Sequence, residues 1–388
     1  MKCNDSERSA RPMFEQRPRS HAVVIRPDIA PGRRVLAISD IHGNLPFLKG
    51  LLAKVGFGGD DVLVLVGDLL EKGKQSLDTL RYIIELTKTH TVYALCGNCD
   101  HIDRVFLEGR PGADDGLGPV FRFWKERWLI AQMGAELGMR PEKPEDLPVL
   151  RQAVLEHFPE ECNFLLNLPH ILAAGNFIFV HGGIPREDRL EELDAYGCMK
   201  NDDFLGQGYS FRKWVVVGHW PVTLYHPDIP IARPLVETER HIISIDGGCV
   251  LKLDGQLNAL IIPDINGDPA GYKAYDGLPI VRALDRQEPS ARPLNIRWSD
   301  SAVEVLRTEG DCSWCRHISS GREMWVMNEY LYPRRSDGCI HCEDTTDYRL
   351  PVEPGDRLAL VRRCSRGYMA KKHGATGWYF GRVEPVEE

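Results

Sequence analysis

The chain has 388 residues, more than one small core absorbs, so two domains or one domain with an appendage is the expectation. Hydrophobic residues make up 43% and charged residues 27%, the balance of an ordinary soluble globular protein. A formal net charge of -8 argues against nucleic acid as the main partner, and no apolar run is long enough for a membrane span.

Residues 1–33 are rich in Arg and Pro and lack the apolar centre of a secretory signal, so they read as a disordered lead-in without chemistry. The expected location is cytoplasmic. Eleven cysteines are then better read as reduced thiols than as a disulfide frame.

Six apolar, β-branched runs follow in chain order: "RVLAIS", "DVLVLVG", "HTVYALCG", "NFIFV", "WVVVG" and "HIISI". Their unbroken hydrophobicity suits strands buried on both faces. "LPFLKGLLAKVGF" and "QSLDTLRYIIELTKT" carry helical spacing between the first three, which gives a β-α-β-α-β start. Each strand stops on residues of ligand type. The first stops on Asp40-Ile41-His42, the second on Gly67-Asp68 and the third on Gly97-Asn98-Cys99-Asp100. The fourth, fifth and sixth stop on His181-Gly182-Gly183, Gly218-His219 and Asp246-Gly247-Gly248. Ligands in open α/β sheets collect beyond the carboxyl ends of strands, and glycines let the backbone turn closely around them. Any one of these pieces alone is an ordinary turn or a core histidine. Their succession is what points to a site. Mixed oxygen and imidazole donors suit Mn, Fe, Zn or Ni better than Ca or Mg. Six ligands suit two ions about 3.5–4 Å apart that share a bridging carboxylate.

The motifs "DIHGN", "GDLLEKG", "GNCD", "HGGI" and "GHWPV", with "SIDGG" and "LDGQLNALII" behind them, resemble the calcineurin-like metallophosphoesterases. Within that family the likeness is to the branch of phosphoprotein phosphatases and diadenosine tetraphosphatases. It spans about residues 34 to 263. The resemblance implies an α/β fold, a β-sandwich flanked by helices, with a binuclear centre at the sheet edge. It also implies that Asp40 and His42 bind one ion, that Asp68 bridges, and that Asn98, His181 and His219 complete the second. Two divalent cations would activate water for in-line attack on phosphorus. The implied substrate is a phosphoprotein monoester or a nucleotide polyphosphate. A binding protein built on an inactive scaffold is the competing class, and the complete ligand set argues against it.

The pattern departs from the phosphatase branch at Glu71, Lys72 and Cys99, where that branch has Asp, Arg and a His that protonates the leaving group. Asp100 stands where the residue orienting that His would be. A thiol is a poorer proton shuttle than imidazole near neutrality, and Lys lacks the bidentate fork of Arg. The departure favours leaving groups that need little protonation, such as anhydrides, nucleotide diesters or aryl esters. Cys99 as a plain small buried residue is the other reading, and His101 or Arg104 nearby could take over acid or phosphate-binding duty.

Residues 102–165 carry helical spacing and predict a cap insert in a metallophosphoesterase domain spanning 34–265. Its Arg122, Lys125 and Arg127 could meet an anionic substrate, although a solvated helix face explains them as well. Residues 266–300 read as a linker. Residues 301–388 read as a small β-rich domain resembling a Src-homology-3-like barrel, with a peptide or protein as its expected ligand. Cys312-x2-Cys315 and Cys339-x2-Cys342 offer four thiolates for one structural zinc, with unligated thiols or redox pairs as the alternative.

Overall fold

The computed structural model describes residues 20–109, 117, 125–334 and 337–386. Most of the lead-in and Arg122 of the insert therefore lie outside the described residues. The described chain forms two compact units. The first holds residues up to 219 together with 236–245 and 258–273, and the second holds 220–235, 246–257 and those from 274 onward.

The first unit begins with β1 (Val24–Ile25), β2 (Val35–Ile38), α1 (Leu45–Val55), β3 (Val62–Leu65), α2 (Ser76–Thr89) and β4 (Thr91–Ala94). The helices α3 (Asn98–Glu108), α4 (Leu129–Glu136), α5 (Leu147–His157) and α6 (Pro159–Leu166) come next. Then follow β5 (Ile171–Ala174), β6 (Phe177–Val180), α7 (Ala195–Met199), β7 (Trp214–Val217), β8 (Leu235–Glu237) and β9 (Ile242–Ser244). The last strands are β10 (Leu257–Ile262) and β11 (Gly271–Tyr275).

All six expected strands form, but they do not share one sheet. β2, β3 and β4 are parallel neighbours in a sheet of order β11-β10-β2-β3-β4, whereas β6, β7 and β9 belong to the order β1-β5-β6-β7-β9-β8. Val35, Ala37, Val62 and Val64 of one sheet share a core with Phe177, Phe179, Val216 and Ile243 of the other. The unbroken hydrophobicity now has its reason. Alternate residues of β2 and β3 share the core with the opposite sheet, and every position of both strands is buried. α1 is started by Asn44, whose side-chain oxygen accepts from Phe47 N at 3.3 Å, and ended by left-handed Gly56. In the expected cap, α4 and α6 pack against α2, and α5 and α6 against α3. Lys125 and Arg127 lie in an exposed helical turn before α4.

The second unit runs β12 (Ile280–Ala283), β13 (Asn295–Ile296), β14 (Ala302–Glu309), β15 (Cys312–His317), β16 (Glu323–Met327) and β17 (Leu331–Pro333). It continues with β18 (Ile340–Cys342), β19 (Thr345–Thr346), β20 (Arg357–Cys364), β21 (Gly367–Lys372), β22 (Ala375–Tyr379) and β23 (Val383–Pro385). Two five-stranded sheets result, ordered β22-β21-β20-β12-β23 and β16-β15-β14-β18-β17. Neither closes on itself among the described strands, so the expected barrel is not seen as one. The stretch expected as a linker supplies β12, which pairs with both β20 and β23. Trp378 and Tyr379 are core residues, 4% and 0% exposed.

The structure does not bring the four zinc-candidate cysteines together. Cys312 and Cys315 lie three apart on one extended strand, whereas a metal knuckle needs a turn. The sulfurs of Cys315, Cys342 and Cys339 sit near the carbonyls of Ser313, Ser301 and Asp337 at 3.6, 3.6 and 3.8 Å. No three of the four are among the groups able to hold one ion, and the ten described cysteines are free thiols.

Candidate metal centre

Beyond their strands, the loops after β2 and β3 bond to each other. Asp40 N donates to Gly67 O, His42 N to Asp68 O and Gly43 N to Leu69 O, each at 3.0 Å. That ladder sets Asp40, His42 and Asp68 side by side. The loop after β7 adds His219, whose N–H donates to Asp40 Oδ2 at 3.0 Å. Asp40, His42, Asp68 and His219 have φ of 54°, 51°, 48° and 66°, a left-handed conformation costly for side-chain-bearing residues. Glycines admit the backbone: a Cβ on Gly97 would lie 2.1 Å from Asp68 N, and one on Gly218 would lie 2.3 Å from Asp40 Oδ2.

The imidazoles are oriented by backbone carbonyls. His181 Nδ1 bonds Val66 O at 2.9 Å, which turns Nε2 toward Asp68 Oδ1 at 3.3 Å. His42 Nδ1 lies 3.3 Å from Leu70 O, leaving Nε2 3.8 Å from Asp40 Oδ1 and 3.7 Å from Asp68 Oδ2. Asp40 Oδ1 and Asn98 Oδ1 are buried with no hydrogen-bond partner among the described residues, and His181 Nε2 meets Asp68 Oδ1 alone. Buried polar atoms are rarely left so, and oxygen and imidazole donors of this kind suit divalent cations. The donor atoms form two overlapping groups, Asp40–Asp68–His181 and His42–Asp68–Cys99, each within 4.8 Å. Asp68 is common to both, as a bridging residue would be. Asp40 lies near His42 as expected, groups also with His181, and Cys99 joins His42.

Electrostatics prepare most of these groups for a cation. Burial pushes His42 down to about 3, helped by the Lys72 charge, and pushes His219 down to about 4, so both rings are neutral. Burial also raises Asp40 to about 6. Burial works against charge on Asp68 and His181 as well, but each stabilises the other. Asp68 stays well below the carboxylate range, and His181 rises to about 9 with help from Asp40.

The leaving-group residues fall differently from the family pattern. Cys99 is 1% exposed, its N–H donates to Asp68 Oδ1 at 2.8 Å, and its sulfur lies 3.4 Å from Asn98 Nδ2. Burial and then Asp68 push the thiol well above its usual range. Lys72 Nζ is 3.4 Å from His42 Nε2. Asp100 does not orient Cys99. Its carboxylate accepts from Leu69 N at 3.0 Å, Leu70 N at 3.2 Å and Gly97 N at 2.9 Å, which clamps the β3 loop to the start of α3. Glu71 faces the insert: its Oε1 accepts from Leu129 N at 2.9 Å, and burial and Asp103 raise it well above its usual value. Asp103 is held in turn by Trp128 Nε1 at 2.8 Å. Arg104 is paired with Glu108 at 3.0 Å, and the His101 ring packs 5.9 Å from that of Tyr196.

Asp202 and Lys200 escaped the sequence reading. Asp202 Oδ1 lies 2.8 Å from His219 Nε2, and Lys200 Nζ lies 3.3 Å from the same nitrogen. The hydrogen bond to His219 holds Asp202 well below its usual range. Both residues sit in a charged loop after α7 with no periodic or motif signal.

A two-sheet fold that gathers ionic side chains around one shared carboxylate is that of the metal-dependent phosphoesterases. More narrowly, the chain belongs to the calcineurin-like phosphoesterase family, whose match covers residues 33–244. It is thus a hydrolase of phosphate ester or anhydride bonds that works with divalent metal ions. A bis(5'-nucleosyl)-tetraphosphatase PrpE [asymmetrical] of Halalkalibacterium halodurans is 27% identical over 248 residues, covering 59% of this chain and 89% of that protein. A bis(5'-nucleosyl)-tetraphosphatase, symmetrical, of Neisseria meningitidis is 38% identical over 176 residues, 45% of this chain and 51% of that one. Among solved structures, a cold-active protein-tyrosine phosphatase of a psychrophilic Shewanella species aligns with TM-score 0.44 and 17% identity, over 66% of this chain and 83% of that one.

Proposed function

We propose that the chain cleaves phosphoanhydride bonds of nucleotide polyphosphates, dinucleoside polyphosphates foremost, with two divalent ions held by Asp40, His42, Asp68, Asn98, His181 and His219. When bound, ions of the Mn, Fe, Zn or Ni class would supply activated water and charge neutralisation. Asp68, common to both donor groups, would join the two positions. His181 and His42 present Nε2 because backbone carbonyls occupy their other nitrogens. Lys72 brings positive charge to the His42 side, where a polyphosphate would gain from it.

The observation that carries the substrate class is the thiol of Cys99 among the donors, where phosphomonoester cleavage wants an imidazole. A phosphate leaving group departs from an anhydride as a stabilised anion and needs little protonation, whereas an alkoxide needs a good acid. The tetraphosphatase names of the relatives agree with this reading. The test is a comparison of kcat/KM on diadenosine tetraphosphate, an aryl phosphate and an alkyl phosphate after manganese loading. The anhydride should exceed the alkyl ester by about 10²-fold or more, the usual worth of general acid catalysis. Equal or faster alkyl ester cleavage would overturn the assignment.

A further inference from the structure

In the second unit, two hairpin turns from different sheets meet. Gly310 and Asp311 form the turn between β14 and β15, closed by the Glu309–Cys312 pair. Ser365 and Arg366 form the turn between β20 and β21, closed by the Cys364–Gly367 pair. The turns are fastened by the Asp311 carboxylate, which accepts from Ser365 N at 2.9 Å and from Ser365 Oγ. The same carboxylate lies 3.6 Å from Cys312 Sγ, and the Cys364 sulfur joins them, with all three donor atoms within 4.8 Å of one another. Cys312 is fully buried, Cys364 is half-buried and Asp311 is exposed, so the cluster has a protein side and a solvent side.

We propose that Asp311, Cys312 and Cys364 form a binding site for a thiophilic divalent cation, with zinc the best match, which staples the two turns. A tetrahedral zinc with Zn–S of about 2.3 Å and Zn–O of about 2.1 Å sets its sulfur and oxygen ligands about 3.6 Å apart. That is the separation of Cys312 Sγ and Asp311 Oδ1. A carboxylate already steadied by a neighbouring donor, here Ser365, is the usual arrangement around a metal ligand. Water from the solvent side fills the fourth position. Binding replaces two S–H bonds by two Zn–S bonds and releases two protons to solvent, so affinity rises with pH. Two small thiols filling a core, one of them hydrogen-bonded to the carboxylate, are the ordinary alternative that zinc uptake distinguishes.

The test uses the full-length chain, reduced, stripped with chelator and titrated with zinc or cobalt. Cys364→Ser is the main variant, because its side chain is only half-buried and its fold is the safer. Wild type should bind one equivalent more zinc than Cys364→Ser and Asp311→Asn and show a stronger sulfur-to-cobalt charge-transfer band than Cys364→Ser. A triple replacement of Cys315, Cys339 and Cys342 by Ser should leave both readouts at the wild-type level. Equal zinc counts and spectra in wild type and Cys364→Ser overturn the proposal. So does a loss confined to the triple variant, which would return the metal to the paired Cys-x2-Cys sequences. A Cys312–Cys364 disulfide under mild oxidant, without zinc uptake by the reduced chain, would also overturn it.

Discussion

Replacing Gly97 by Ala tests whether the Asp68 carboxylate is placed by backbone packing. Gly97 has an ordinary extended backbone, so the substitution carries no φ penalty. Its methyl, however, would stand 2.1 Å from Asp68 N and 2.2 Å from Asp68 Oδ1. Comfortable contact needs about 3.5 Å, so Asp68 and the α3 start must separate by more than about 1 Å. Asp68 Oδ1 also accepts from Cys99 N at 2.8 Å and faces His181 Nε2 at 3.3 Å, and both contacts would be disturbed together. Overpacking of this kind costs about 1–3 kcal/mol of stability, and a misplacement near 1 Å costs about 10²-fold in rate. The assay is thermal unfolding, metal content and manganese-dependent kcat/KM on one purified sample. A folded variant with full metal and kcat/KM within about threefold of wild type would refute the packing argument.

Asp68→Asn should abolish hydrolysis and lower bound metal, since Asp68 is the side chain shared by both donor groups; unchanged metal content by elemental analysis would count against the bridge. Cys99→Ser should retain anhydride hydrolysis within about tenfold, whereas a loss of 10²-fold or more would mean the thiol acts in the step. In the metal-free protein His42 and His219 are neutral while His181, at about 9, is charged, so loading metal at pH 7 should release about one proton. Calorimetry in buffers of differing ionisation enthalpy measures it, and affinity should rise with pH up to about 9. Glu71, protonated in the fold and ionised when unfolded, binds more protons in the native state, so its contribution is lost as pH rises from its unfolded value through its raised native one. Glu71→Gln should therefore flatten the decline of stability above pH ~5, by up to about 1.4 kcal/mol per unit, in denaturant titrations.

The strand ends were legible because each couples a fully buried apolar run to a polar stop. Both signals are local: Val62–Leu65 reads as a buried strand, and Gly67-Asp68 as its end, without any partner in view. The family likeness supplied which ends meet. What stayed hidden was set by distant contacts. Asp100 looked catalytic from its place beside Cys99, yet its bonds run to residues about thirty positions earlier. Asp202 joins His219 through a loop that carries no pattern. The Cys-x2-Cys pairs misled because spacing does not say whether the backbone between two thiols turns or extends. At Cys312 it extends, and the sulfur meets Cys364, 52 residues onward in a different sheet.

The left-handed backbone at Asp40, His42, Asp68 and His219 gives this protein a built-in conflict between holding its shape and doing its work. At about 1–3 kcal/mol for each such residue, these four positions carry a conformational load comparable with the net stability of a typical domain. Glycine at any of them would relieve its share of that load and remove a ligand in the same stroke. A laboratory selection for heat resistance alone would therefore drift toward inert variants, unless turnover were demanded at every round.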